Sequence, residues 1–120
     1  MPIFLKRAYD DVADNDGLRI LIDRLWPRGV SKASLKLDYW FKTIAPSSTL
    51  RKWFNHDPSK FVEFKQAYLQ ELTELEQNRD HQLRELKKLV SEYDTVTLIY
   101  GAKDRQHNHA IVLKESLEIL

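Results

Sequence analysis

Two stretches of the chain place titratable, cationic and aromatic residues directly after an apolar run. In Arg19-Ile-Leu-Ile-Asp23-Arg24-Leu-Trp26-Pro27-Arg28-Gly29, the cations Arg24 and Arg28, followed by Lys32, suit a phosphate or carboxylate. A guanidinium binds such a group through two parallel bonds, and Gly29 lets the backbone approach it. The second stretch, Val96-Thr-Leu-Ile-Tyr100-Gly-Ala-Lys103-Asp104-Arg105-Gln-His107-Asn108-His109, repeats the plan with Tyr100, Lys103 and two histidines. Imidazole titrates near physiological pH, so His109 and His56 are the candidates for proton transfer. Asp23 ends a buried run and is first of all the internal partner of one of the arginines; in an acid–base reading it is the general base. Arg7 and Tyr9 complete the set of candidate ligand-binding residues, with Arg24, Trp26, Arg28, Lys32, Tyr100 and Lys103. A metal reading would combine His56, Asp57, His107 and His109, but no ligand spacing supports it and no metal site is assigned.

These residues need elements to hold them. Ile3 to Tyr9 predicts a first strand and Asp10 to Gly17 a loop, because Asp, Asn and Gly favour turns. Leu18 to Leu25 predicts a second strand, whose unbroken Ile20-Leu21-Ile22 suits a position covered on both faces. The eight residues from Asp10 to Gly17 make a short crossover for a parallel pair, so the direction of the first strand stays open. Ser31 can cap one helical turn and Asp38 another containing Tyr39, Trp40, Phe41 and Ile44, ended by Pro46. Ser47 or Ser48 caps a short helix over Leu50, Trp53 and Phe54. Asp57-Pro58 then reads as the cap and first residue of a long helix, with Phe61, Phe64, Tyr68, Leu72 and Leu75 as one apolar stripe. Asp80 caps a further helix that turns Leu83, Leu86, Leu89 or Val90, and Tyr93 inward. Thr95 to Tyr100 is β-branched and apolar, a third strand. The last helix starts near His107 and carries Ala110, Leu113, Leu117 and Leu120 on one face. The alternation predicts a single α/β domain over residues 1–120, with a small, mainly parallel sheet of three or four strands and helices on both faces.

In such sheets ligands bind beyond the carboxyl ends of the strands. All three predicted strands turn polar there, so parallel strands would bring the candidate residues to one rim. Trp26, between two arginines, is expected to wall the pocket; Trp40 is expected in the core.

Composition narrows the classes. The chain has 120 residues, no cysteine and a net charge of +1, which removes thiolate catalysis, disulfides and cysteine-ligated metals. Residues 1–60 hold 11 basic against 7 acidic side chains, and residues 61–120 hold 8 against 11, so an anion favours the first half. The apolar run at the amino terminus is too short for a signal peptide or a membrane span, which places the protein in the cytosol and away from membranes. Glycine-rich phosphate loops, nucleophile elbows and zincin helices are absent.

The motifs Arg19 to Lys32, Ile44-Ala-Pro-Ser47, Leu50-Arg-Lys-Trp-Phe-Asn-His-Asp-Pro58 and Leu98-Ile-Tyr-Gly-Ala-Lys-Asp104, with His107-Asn-His-Ala110, closely resemble the YeaO-like family of unknown function. The resemblance spans nearly the whole chain and implies no established activity or cofactor. Some members of that family carry the label of transcriptional regulator, which nothing in this sequence supports. Larger relatives carry a Cys-His-Arg triplet after the last strand; here Asn108-His109-Ala110 stands in the similar place, so the histidine alone remains. Three functional readings stay open. The first is a small enzyme or ligand-binding domain for an anionic, phosphate- or nucleotide-like molecule; the second is a nucleic-acid-binding or regulatory module; the third is a protein-interaction domain. Near-zero net charge and the lack of a basic helix favour the first over the second.

Overall fold

The sheet is built around the last strand of the chain. In the computed structural model, which describes residues 2–119, strands β1 (Ile3–Arg7), β2 (Leu18–Leu21), β3 (Tyr39–Trp40) and β4 (Val96–Tyr100) form one sheet in the order β1-β4-β2-β3. Every pairing is parallel, with Ile3 opposite Val96, Leu18 opposite Val96 and Ile20 opposite Tyr39. β4 is therefore central and buried on both faces along its whole length, which its unbroken apolar run requires. The first strand is parallel to the second but does not touch it, since β4 lies between them. Residues 8–17 have only to return across one face of the sheet, and the short link is sufficient.

Alternation along the strands separates two cores. Ile3, Ile20, Ile22, Val96, Leu98 and Tyr100 face the larger one. It is roofed by helices α2 (Ser48–Phe54), α3 (Phe61–Gln77), α4 (His81–Glu92) and α5 (His109–Glu118). Their buried residues recur at helical spacing: Phe64, Tyr68 and Leu72 on α3, Leu83, Leu86, Leu89 and Val90 on α4, and Ala110, Leu113 and Leu117 on α5. Each large side chain so buried contributes about 1.5–3 kcal/mol. Leu21 and Ile99 point to the other face, where Ala8 of the return link and Leu35 of the four-residue helix α1 (Lys32–Leu35) cover them. Side-chain oxygens of Ser47, Asp80 and Asn108 cap α2, α4 and α5 by accepting N–H bonds from Leu50, Leu83 and Ile111, and this is why the helices start there.

Several expectations need correction. Asp38 caps no helix: its carboxylate accepts the Arg19 N–H at 2.9 Å, its own N–H donates to the Arg19 carbonyl, and Phe41 N–H donates to the Leu21 carbonyl. These bonds draw the aromatic segment after it onto the sheet edge as β3, where half-buried aromatics pack well. Asp57 caps a 3-10 turn, Pro58–Lys60, that leads into α3. The last helix begins at His109, two residues later than the sequence suggests. Both Leu89 and Val90 are buried, whereas Tyr93 is exposed at the end of α4. The expected inward position of Leu120 lies outside the described residues. No described helix is long and apolar enough to cross a membrane.

One buried ion pair lies under the return link. Asp16 is 5% exposed and accepts bonds from Arg19 Nη1 at 2.6 Å, Lys6 Nζ at 2.7 Å and the Ala13 N–H at 3.0 Å. Arg19, 4% exposed, also donates to the Leu35 carbonyl. The link, β2 and α1 are thus tied together through one guanidinium.

Candidate functional site

Because the strands are parallel, their polar carboxyl ends converge, and a cavity of about 640 Å³ opens there. Its floor is Asp23, just past β2, beside His109, the first residue of α5. Asp23 Oδ2 accepts the Gly101 N–H at 2.8 Å. A Cβ at Gly101 would stand 2.9 Å from that same oxygen, so glycine is what lets the end of β4 come so close to the carboxylate. His109 Nε2 lies 3.0 Å from the Ile22 carbonyl and 3.1 Å from Asp23 Oδ1. Its N–H is aimed at the carbonyl, and Asp23 Oδ1 is buried without a hydrogen bond. Both neighbours are acceptors, so the neutral ring carries its proton on Nε2 and keeps a lone pair on Nδ1.

The walls are apolar. Phe54 and Phe64 stack with ring centroids 4.2 Å apart, and both line the cavity with Leu25, Ala45 and Pro46. Behind them Tyr68, fully buried, donates to the Ile44 carbonyl at 2.6 Å and meets the His109 ring edge-on. Burial pushes the Tyr68 hydroxyl far above its usual range, so it stays a neutral donor.

Three cations complete the lining: Arg24, Arg51 and Lys103. Arg24 is held by main-chain oxygens, with Nη2 donating to the Ala45 carbonyl at 3.0 Å and Nε to Pro46 at 3.4 Å. Among the described residues none of the three forms an ion pair. The second lining carboxylate, Asp104, is already engaged: it accepts N–H bonds from Gln106 and His107 and lies 2.9 Å from the His107 ring. The Gln106 N–H, followed by the His107 ring, holds it below the usual carboxylate range. The cavity therefore has more uncommitted positive than negative charge.

Of the residues singled out in the sequence, Asp23, Arg24, His56, Lys103 and His109 line this cavity, His56 from its exposed outer side. The others are elsewhere. Arg7 donates to the Ala102 carbonyl at 2.8 Å and stacks on Tyr9, whose hydroxyl donates to the Arg28 carbonyl. Arg28 itself is exposed and lines no part of the cavity. Trp26 does not wall it: its ring packs edge-on against Trp40 on the opposite face of the sheet, and with Lys32 it lines a smaller cavity of about 220 Å³. Tyr100 is buried in the larger core, and burial raises its hydroxyl above the usual range. Trp40 is half-buried and donates to the Asp23 carbonyl. Asp23 is no partner of an arginine, since its carboxylate bonds Gly101 and adjoins His109. His56, Asp57, His107 and His109 do not form a common cluster; among the described residues no three such side chains are placed to hold a metal. Arg51 is the lining residue that sequence reasoning missed. Its one signal was membership of the motif from Leu50 to Pro58.

Outside the cavity, Arg105 clasps Asp10 through two bonds of 2.7 and 2.9 Å. Chiefly through this clasp the Asp10 carboxyl is lowered to about 2. Its contribution to stability is complete above the ordinary carboxylate pKa and is lost as pH falls toward about 2. Arg105 is 56% exposed, so solvent screening keeps the contribution small. In Arg105→Ala the carboxyl is expected to titrate clearly higher. An NMR pH titration of Asp10 checks this, and an unchanged midpoint would assign the shift to other groups.

Comparison with known proteins gives the family. A family model described as the inactive DUF488-N3 subclade matches residues 2–119. The chain is 43% identical over 122 residues to the uncharacterized protein YeaO of Escherichia coli K12, covering all of both chains. It is 37% identical over 111 residues to the uncharacterized protein Rv3073c of Mycobacterium tuberculosis H37Rv, covering 92% of this chain and 89% of that one. No solved structure was found to match. On that coverage and identity, the chain belongs to the YeaO-like DUF488 family.

Proposed function

We propose that the protein is a binding domain for a small anionic molecule, phosphate- or nucleotide-like, held in the cavity at the carboxyl ends of the strands. The observation that carries this reading is the set of three cations, Arg24, Arg51 and Lys103, lining the cavity without an acidic partner. Uncommitted cations beside apolar walls favour an anion whose body excludes water. Binding is favoured over turnover: the matching subclade is described as inactive, and the chain has no cysteine with which to form a covalent intermediate. Asp23 and His109 then orient the ligand.

Isothermal titration of phosphate, pyrophosphate and nucleoside phosphates tests the reading. Arg51→Ala and Lys103→Ala are each expected to weaken the tightest of these by about 10–100-fold, the usual worth of a charged hydrogen bond. Their unfolding midpoints should stay within error of the parent, because neither side chain supports the fold. Absence of heat and of thermal stabilisation with every anion would sink the proposal. Salt-sensitive binding of an oligonucleotide alone would support the nucleic-acid reading.

A further inference from the structure

Hydrogen-bonding capacity differs sharply between two sets of side chains that line the cavity. Arg24, Arg51 and Lys103 are donors only, since neither guanidinium nor ammonium has a lone pair to offer. On the floor, Asp23 Oδ1 is buried and receives no hydrogen bond, while Oδ2 already takes the Gly101 N–H. The one proton that could be shared with Oδ1, on His109 Nε2, is aimed at the Ile22 carbonyl 3.0 Å away. With that nitrogen committed, His109 offers a lone pair at Nδ1. The floor is acceptor-only. The same cavity carries the stacked Phe54 and Phe64 as an apolar wall, and its volume, about 640 Å³, lies in the usual range for small-molecule sites.

Resting on the anion-binding reading above, we infer that the ligand is two-ended: an anionic group meets the cations, an apolar ring spans the aromatic wall, and an N–H or O–H donor at the far end bonds the Asp23–His109 pair. An anion without such a donor forgoes the bond that this pair offers, and a site built to meet a ligand's donor discriminates strongly against an analogue lacking it. The Asp23–His109 pair thus sets specificity, and the cations supply affinity that is blind to the far end.

Matched aryl phosphates separate these roles. Phenyl phosphate is compared with 4-aminophenyl phosphate, and 2-naphthyl phosphate with 6-amino-2-naphthyl phosphate, so that two spans are sampled. Binding is measured by calorimetry at about pH 8.5, above the ordinary range of an imidazole. In at least one pair the amino compound is expected to bind the parent protein about tenfold or more tightly. In Asp23→Asn and His109→Phe that gap should close, whatever change the two compounds of a pair share; thermal melts establish that each variant is folded, and the comparison on the parent protein stands without them. Equal affinity within both pairs would overturn the two-ended ligand and leave the anion site intact. No binding of any aryl phosphate, together with no binding of phosphate or nucleotides, would remove the anion site and this inference with it.

Discussion

Replacing Asp16 with alanine is expected to destabilise the protein by about 3–5 kcal/mol, a large part of the stability of a domain this size. The loss has a definite origin. Arg19 is 4% exposed and cannot turn to water, so without Asp16 its charge stays buried with only the Leu35 carbonyl to meet it. Lys6 loses the same partner but is a quarter exposed and recovers its hydration. Burial alone opposes ionisation of Asp16; the bonds from Lys6, the Ala13 N–H and Arg19 outweigh it and hold the carboxyl below the usual range. A depressed carboxylate stabilises fully above its unfolded pKa, near 3.9, and progressively less as pH falls through its folded value. Urea unfolding of Asp16→Ala against the parent at neutral pH checks the magnitude. Repeating it at lower pH should bring the two proteins together, and a constant gap down to strong acid would contradict the ionic account.

Gly17→Ala is expected to cost about 3 kcal/mol or more. Gly17 has φ +66° and ψ −136°, a region that side-chain-bearing residues avoid. A Cβ there would also fall on the Thr95 carbonyl oxygen and 2.7 Å from Thr95 Cβ. That carbonyl accepts the Leu18 N–H at 3.0 Å, the bond that starts the pairing of β2 with β4. Relieving the overlap therefore means lifting β2 from its neighbour. Gly29 is the control: it also has positive φ, at +78°, but nothing lies within 4 Å of its would-be Cβ. Gly29→Ala should lose only the conformational cost of about 1 kcal/mol. Thermal or urea unfolding of the two variants distinguishes them, and equal losses would show that the Thr95 contact is not what matters.

The parts of this fold that were readable from the chain are those set by local pattern. Ile20-Leu21-Ile22 and Val96 to Tyr100 announce buried strands by unbroken apolar character, and the stripe from Phe61 to Leu75 announces α3 by its period. Asp38 was misleading for a physical reason: the carboxylate that caps a helix by accepting an N–H does the same here for Arg19, on another strand. Sequence spacing does not reveal which N–H is waiting. The direction of β1 was equally hidden, since it depends on β4 entering between β1 and β2 from ninety residues away.

The candidate site shows the same division. Asp23, Arg24, Lys103 and His109 meet because they follow directly on parallel strands or open α5, where position in sequence still measures position in space. Beyond Leu25 that link breaks. Pro27 is buried, Trp26 folds against Trp40, and the chain passes to the other face, taking Arg28 and Lys32 away from the cavity. Arg51 reaches the cavity through the docking of α2 on α3, fixed in part by Glu71, whose carboxylate accepts both the N–H and the hydroxyl of Ser47. No single-sequence spacing encodes that contact.

The central place of β4 also bears on how the protein emerges from the ribosome. β1 and β2 are made well before β4, yet β1 finds its partner, and β2 the second of its two, only in Val96–Tyr100. At roughly 5–20 residues per second of synthesis, β1 waits several seconds with both edges unpaired. Throughout that interval the nascent chain can assemble α2, α3 and α4 but has no closed sheet for them to cover. Completion is then abrupt: one late strand supplies both missing ladders, and the floor of the cavity, which needs Gly101 and His109 beside Asp23, comes into existence in the same step.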